Sequence, residues 1–353
     1  MRQLLLLLPF LLCYACGDGP TEVTSEATPA TEPEKAEYAI VIHGGAGTIR
    51  KDRMTDERAE GIRAAMNAAL DAGEAVLKNG GTAAEAVEKT IWVMEDSPFF
   101  NAGKGAVFTS AGTNELDASF MTGHDLQAGA VGGVSNIKHP ISAARTVLEQ
   151  SEHVMLTGVG AEAFAKAQGL EIVDPQYFYT EERYQSLQRV REKEAIDDAD
   201  VHGNLLYARE LDEKFGTVGC VALDKSGNIA AGTSTGGMTN KKFNRIGDSP
   251  IIGAGTYANN ETMGVSCTGH GEYFIRYAVA HDIHARMSYG QASLAEATDA
   301  IVFDVLKPAG GTGGLVALDK YGNVAMPFNT EGMYRGYAKP GGERAIYFYG
   351  EKE

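Results

Sequence analysis

The sequence predicts an α+β fold in which antiparallel sheets are covered by helical layers. Helix-like and strand-like segments arrive in blocks and do not alternate one for one, which argues against a doubly wound parallel sheet. In addition, residues 217–235 (TVGCVALDKSGNIAAGTST) align without gaps on residues 312–330 (TGGLVALDKYGNVAMPFNT), with eleven of nineteen positions identical. Each copy reads as a β-hairpin whose Gly-Asn turn separates two apolar runs.

The folded part opens at residues 38–47 with an apolar strand, Tyr-Ala-Ile-Val-Ile, running through His43 into a glycine turn. Thr55 or Asp56 then caps an amphipathic helix that ends near Lys78, with Gly80 as its terminator. Thr82 and Glu85 have the spacing of a capping box for a second helix reaching about Glu95. Pro140 and Ser142 open a short third helix. Further helices are expected over residues 161–168, 182–196, 272–287 and 294–306, that over 182–196 being highly charged. Short, glycine-bounded strands fill the intervals.

With 353 residues and 44% hydrophobic content the chain can bury a large core. Its 43 glycines lack a G-X-Y period and so mark turns and close backbone approaches. A formal net charge of -16 with no basic cluster would repel a phosphate backbone, so no nucleic-acid partner is expected.

Residues 1–16 read as an export signal. Arg2 supplies a positive start, the apolar run from Leu4 to Leu12 is too short to span a bilayer, and Tyr14-Ala15-Cys16 brings small residues up to a cysteine. This is similar to a bacterial lipoprotein signal, in which Cys16 would be acylated; Cys13, standing where leucine is usual, is a weaker candidate. Residues 17–37, rich in Thr, Pro, Glu and Ala, then form a flexible tether, and residues 38–353 a single domain. The expected location is periplasmic or at the cell surface, with membrane contact only through the lipid. Cys220 and Cys267 remain, on separate apolar runs, as small buried hydrophobes and not a disulfide framework.

Thr217 is the most informative residue for function. It opens an apolar strand directly after Gly216, and a cut between them would give it a free α-amine beside its own hydroxyl, so one residue would supply nucleophile and base. An ordinary α-amine has a pKa of about 7.7 to 8.0, low enough to accept that proton near neutral pH. Thr312 follows Gly311 in the same way, but a cut there would release only residues 312–353, too little for half a site. Hairpin geometry would return Thr235 to the side of Thr217. Arg245 and Asp248 lie three residues apart on a glycine-containing loop; such a pair serves either as a surface salt bridge or as a clamp for the carboxylate and ammonium of a free amino-acid end. In Ser266-Cys267-Thr268-Gly269-His270-Gly271-Glu272 a hydroxyl and an unhindered N–H at a strand-to-helix junction suit an oxyanion.

Together these segments resemble the plant-type asparaginases, or isoaspartyl peptidases, of the N-terminal nucleophile hydrolase superfamily. The likeness runs through nearly all of residues 38–338. It is carried by HGGAG at 43–47, FNAGKGAVFT at 100–109, ELDASFM at 115–121, AGAVGGVSNIKHPISAAR at 128–145 and GTVG at 216–219. It continues in TSTGGMTNK at 233–241, RIGDSP at 245–250, SCTGHGE at 266–272 and PFNTEGMYR at 327–335. The resemblance implies a four-layer αββα sandwich, made as one precursor and cleaved by itself into an α fragment ending at Gly216 and a β fragment of residues 217–353, paired as αβ and assembled as (αβ)₂. It implies Thr217 as nucleophile, Thr235 as its orienting partner, Thr268 and Gly269 as the oxyanion hole, and Arg245, Asp248 and Gly271 as the aspartyl clamp. Asn101 would stand beside the nucleophile in a supporting role. No catalytic cofactor is implied; a structural sodium ion would be bound by the carbonyls of Met94, Glu95, Ser97, Phe100, Ala102 and Lys104. The substrates would be L-asparagine and β-aspartyl dipeptides.

One departure is His270, where relatives commonly carry a small polar residue; a histidine there serves either as a pocket wall or as a solvated side chain, the latter being slightly favoured. Residues 183–214, charged and ahead of the cut, are expected to form a mobile tail. Glycosylasparaginases share the chemistry but typically have aspartate before the nucleophile, where this chain has Gly216. Ser135 and Lys138 satisfy S-x-x-K without partner motifs, and His281 with His284 lacks a third ligand motif. A non-catalytic amino-acid-binding lipoprotein is the alternative from another class, and would stay in one piece.

Overall fold

The structure is a computed structural model that describes residues 35–199 and 216–350; side chains of residues 196–199 are outside the description. Cys16, the signal, nearly all of the tether and residues 200–214 of the expected tail lie outside the described residues. Strand β1 (Ala39–Gly47) is followed by helices α1 (Asp56–Lys78) and α2 (Ala83–Glu95), then by β2 (Leu116–Thr122), β3 (Ala128–Val134), α3 (Pro140–Gln150), β4 (Met155–Thr157), α4 (Gly158–Ala167) and α5 (Glu181–Ala199). After residue 216 come β5 (Val218–Leu223), β6 (Ile229–Thr235), β7 (Thr256–Ala258), β8 (Met263–Gly269), α6 (Gly271–Arg276), α7 (Val279–Ser288) and α8 (Leu294–Asp299). The last helix runs on through wider π turns over Ala300–Leu306 into α9 (Lys307–Ala309), and β9 (Gly313–Asp319), β10 (Val324–Ala325), β11 (Gly332–Ala338) and β12 (Arg344–Tyr349) close the chain.

Thr55 and Thr82 cap α1 and α2 as the sequence suggests, Thr82 in a reciprocal capping box with Glu85. The strands form an eight-stranded sheet, β12-β11-β1-β5-β6-β2-β3-β4, and a four-stranded sheet, β10-β9-β8-β7. All pairings are antiparallel except β3 with the edge strand β4, which is parallel. That is a small departure from two purely antiparallel sheets, and it follows from α3 crossing over between the two strands.

The period-2 pattern sends alternate side chains to opposite faces. Ile40 and Ile42 face helices α1 to α4 in one core; Ala39 and Val41 face the second sheet, where they meet Val316 and Leu318. Met263, Val265 and Cys267 face outward from the smaller sheet onto Phe274, Ile283 and Ile301. Three apolar seams therefore separate four layers, helix, sheet, sheet, helix, as the resemblance implies. Cys220 and Cys267 are free and buried.

Three local expectations change. The helix expected over residues 272–287 breaks at Ala278, which is left-handed at φ 46, because the first N–H groups of α7 bond elsewhere: Ala280 to the Ala254 carbonyl and His281 to that of Gly253. The second hairpin has a return strand of only two residues, since Pro327 has no N–H for the ladder. The charged segment after residue 182 is anchored through its first turns. Arg183 is buried and donates from Nε to the Gly105 carbonyl at 2.9 Å, and Arg191 donates to the Ser110 carbonyl at 2.8 Å. Arg183→Ala, which strips a charged donor from a buried carbonyl, is expected to cost about 2 kcal/mol, read from the midpoint of a urea titration.

Candidate active site

The β5–β6 pairing sets Val218 opposite Ser234. One residue further out, Thr217 Oγ1 donates to Thr235 Oγ1 at 3.1 Å, and the Gly237 N–H donates to the same oxygen at 3.0 Å. The hairpin read from the sequence thus brings the two threonines together. Gly216 has φ 114, a conformation that strains any residue with a Cβ. Its neighbours leave no room either: a Cβ on Gly216 would lie 2.6 Å from the Asn101 nitrogen, and one on Gly45, itself at φ 111, would lie 2.7 Å from the Gly216 nitrogen and overlap its Cα. Asn101 is buried and fixed at both ends, its Nδ2 donating to the Gly237 carbonyl at 2.7 Å and its Oδ1 accepting from the Val107 N–H at 2.9 Å.

Across the pocket, Thr268 Oγ1 accepts from the Ala46 N–H at 3.3 Å, which leaves its own proton to donate; Gly269 is exposed beside it and both line the same pocket as Thr217. Arg245 and Asp248 also line that pocket, and Gly271 joins them: a Cβ there would lie 2.8 Å from both Arg245 Nη2 and Asp248 Oδ1. Every residue expected at the nucleophile, the oxyanion hole and the clamp is thereby gathered at one place.

Glu272 is a member the sequence reading used only as the end of a motif. Its carboxylate accepts from Arg245 Nε and Nη2, both at 2.9 Å, so the fork side of the guanidinium is engaged and Nη1 is the end left toward the pocket loop, near Gly247. Burial alone would raise the Glu272 carboxyl, but the hydrogen bonds and charge of Arg245 outweigh it and hold it at about 2. Asp248 is the opposite case. Burial, only partly countered by a backbone hydrogen bond and Arg245, pushes it up to about 7, and its Oδ2 has no hydrogen-bond partner among the described residues. An unpaired buried carboxylate costs free energy unless something cationic arrives. His270 is a correction: it lines the pocket, with Nε2 3.3 Å from Glu272 Oε2 and its ring edge-on to Tyr273, because the chain must turn from β8 into α6 over the Arg245–Glu272 pair.

His43 was legible only as part of HGGAG. It is fully buried, with Nδ1 3.0 Å from the Thr217 carbonyl and Nε2 2.9 Å from Ser266 Oγ. Burial lowers it to about 3, so the ring is neutral at any working pH.

The rival constellations separate. Ser135 Oγ donates to Glu162 while Lys138 pairs with Glu171, so they form no Ser–Lys dyad. His281 lies edge-on and His284 tilted against Tyr257, and among the described residues no group of three or more His, Cys, Asp or Glu could hold a metal. Thr312 is exposed and outside the pocket lining. The loop of the expected sodium ligands closes on its own carbonyls: a Cβ on Gly105 would lie 2.8 Å from the Pro98 oxygen and overlap that of Phe100, and one on Gly103 would overlap that of Glu95. The Glu95 carboxylate is engaged by the Ile141 N–H, Ser234 and His139.

A hydroxyl beside a strained peptide, two oxyanion donors and a clamp of both signs suit acyl transfer. Comparison with known proteins agrees with that geometry. The sequence model of the Asparaginase family matches residues 36–347. The chain is 50% identical over 313 residues to the isoaspartyl peptidase of Escherichia coli (strain K12), covering 89% of this chain and 96% of that protein. It is 49% identical to the isoaspartyl peptidase of Salmonella typhimurium, over 87% of this chain and 98% of that one, and 42% identical to the plant-type L-asparaginase of Pyrococcus abyssi, over 86% and 97%. On residues 36–347 and the site they build, the chain belongs to the asparaginase family.

Proposed function

We propose that this protein is a self-processing threonine amidohydrolase that releases ammonia from L-asparagine and hydrolyses β-aspartyl dipeptides. The observation that carries the reading is the 3.1 Å Thr217–Thr235 hydroxyl contact beside the φ 114 peptide at Gly216, in one pocket with Arg245 and Asp248. In processing, Thr217 Oγ attacks the Gly216 carbonyl, the acyl group passes from nitrogen to oxygen as the C–N bond breaks and the α-amine takes up the proton, and water then hydrolyses the ester to free the Thr217 hydroxyl and the Gly216 carboxylate. In turnover, that amine takes the Oγ proton as Oγ attacks the substrate side-chain carbonyl, and returns it to the departing amine. Thr268 Oγ–H and the Gly269 N–H stabilise the oxyanion. A β-aspartyl ester on Thr217 forms, and water releases aspartate. Both substrates carry a free α-carboxylate and α-ammonium, which Arg245 Nη1 and Asp248 meet, while Gly271 keeps the space between them open. Asn101 braces the Gly237 turn on the far side of Thr235.

A denaturing gel of purified protein tests this: two fragments, the smaller beginning TVGCVA by N-terminal sequencing, are expected alongside ammonia release from asparagine. A single intact chain with that activity would refute it, and an intact chain that binds amino acids without turnover would support the binding-protein alternative.

The Asp248 carboxyl gives a pH dependence. It stands at 3.8 in the unfolded chain and about 7 in the fold, so the folded state holds the extra proton between those values. This contribution to stability is therefore complete below about pH 4 and lost as pH rises to 7. Substrate ammonium needs the ionised form, so KM for asparagine is expected to fall as pH rises from 5 to 7 and then level. Asp248→Asn should flatten that limb and raise KM at pH 8 by about tenfold or more.

The same reading includes a sodium ion held by the carbonyls of Met94, Glu95, Ser97, Phe100, Ala102 and Lys104, which would stiffen the loop carrying Asn101. It also includes assembly of paired fragments as (αβ)₂, and export with lipidation at Cys16. Intact mass of detergent-extracted protein checks the last of these.

A further inference from the structure

We propose that His43 is a positioning residue for Thr217, its Nδ1–H held on the Thr217 carbonyl, and that a directed chain of buried hydroxyls, Ser266, Thr233, Thr256 and Ser119, braces the ring at Nε2. The proposal rests on Thr217 being the nucleophile.

The residues concerned occupy one row of the fold. In the eight-stranded sheet His43 on β1 is opposite Gly219 on β5, Gly219 is opposite Thr233 on β6, and Thr233 is opposite Ser119 on β2. In the facing sheet Thr256 is opposite Ser266. Gly219 is the gap in the row, since a Cβ there would overlap both Ser266 Oγ and His43 Nε2. The result is a polar seam with all five side chains fully buried between the two sheets.

Its proton order is forced from one end. A backbone carbonyl only accepts, so Nδ1 of His43 must donate to Thr217 O at 3.0 Å. The neutral ring then accepts at Nε2, and Ser266 Oγ donates to it at 2.9 Å. With that proton committed, Ser266 accepts from Thr233 at 2.6 Å, Thr233 accepts from Thr256 at 2.5 Å, and Thr256 accepts from Ser119 at 2.7 Å. Ser119 has a single proton, and the Ser249 carbonyl next to Asp248, 2.6 Å away, shares it with Thr256. The chain thus links the nucleophile's own carbonyl to the loop that holds the substrate clamp. Two of its members stand two residues before Thr235 and Thr268 on the same strands.

The consequence appears after scission. Thr217 is then a chain end, continued only through Val218 into β5, and His43 holds its carbonyl as Thr235 holds its hydroxyl. Loss of the hold on the carbonyl would let Oγ drift without removing any group that binds substrate, so the effect belongs in kcat and not in KM.

The test is ¹⁵N–¹H NMR of histidine-labelled, processed protein, together with steady-state kinetics on asparagine. Wild-type His43 is expected as a single Nδ1–H tautomer that does not change between about pH 5 and 9. Ser266→Ala should keep the Nδ1–H tautomer, which the Thr217 carbonyl sets, but leave Nε2 without its donor and the ring unbraced, and so lower kcat by about ten- to a hundredfold, with KM within about twofold and both fragments still formed. Thr233→Val should act in the same direction and Thr233→Ser should restore wild-type values, an outcome that guards against simple misfolding. An Nε2–H tautomer in the wild type, or an unchanged kcat in Ser266→Ala, or equal losses in Thr233→Ser and Thr233→Val, would overturn the proposal. A wild-type chain that neither splits nor hydrolyses asparagine would instead overturn the nucleophile assignment, whatever the tautomer shows.

Discussion

Thr217→Ala is expected to run as one chain on a denaturing gel and to release ammonia from asparagine at least about 10⁴-fold more slowly than the wild type. Alanine at this position removes both reactions at once, because the same Oγ opens the Gly216 peptide and attacks the substrate. Thr217→Ser keeps an Oγ 3.1 Å from Thr235 within reach and should still split, though serine lacks the methyl that holds its rotamer, so it should do so more slowly. Recovery of near wild-type turnover in the alanine variant would remove the mechanism altogether.

Gly45→Ala is expected to have the next largest effect, on processing first. Gly45 stands at φ 111 and its missing side chain is where the Gly216 backbone lies, so an alanine meets both backbone strain and an immovable neighbour. A loss of about 3 kcal/mol or more in stability is expected, with self-cleavage slowed at least about a hundredfold as Gly216 is pushed off its φ 114 geometry. Gly44→Ala is the informative contrast. Its φ is ordinary and its Cβ would meet the buried Phe100 ring at 2.6 Å, a side chain and not backbone, so the loss should be smaller than at Gly45 and cleavage should survive. Time-resolved gels of freshly expressed protein measure both rates.

The nucleophile pair was legible because local chemistry settles it: a Gly-Asn turn fixes the hairpin register, and register alone carries Thr235 back to Thr217. The helix caps at Thr55 and Thr82 were legible for the same reason, being written in spacing within a few residues, whereas the four-layer order came from the family resemblance. What escaped the sequence depends on distant partners. The break at Ala278 is made by carbonyls of Gly253 and Ala254, and the anchoring of Arg183 by a carbonyl at Gly105. The grip of Glu272 on Arg245 spans 27 residues, and nothing in either motif announces that one holds the other. His43 had a faint signal, a histidine inside an apolar strand, but its partners at Thr217 and Ser266 are 174 and 223 residues away.

The order of strands in the larger sheet has a thermodynamic consequence. Strand β1 from before residue 216 is wedged between β11 and β5, and β6 runs directly against β2, so segments from either side of the scissile peptide alternate across one hydrogen-bonded ladder. Hydrolysis of that peptide therefore leaves two polypeptides woven together, neither of which owns the whole of the larger sheet. They should melt in a single cooperative step and resist separation by dilution, yet refolding from denaturant becomes a second-order encounter between strangers where it had been a unimolecular search.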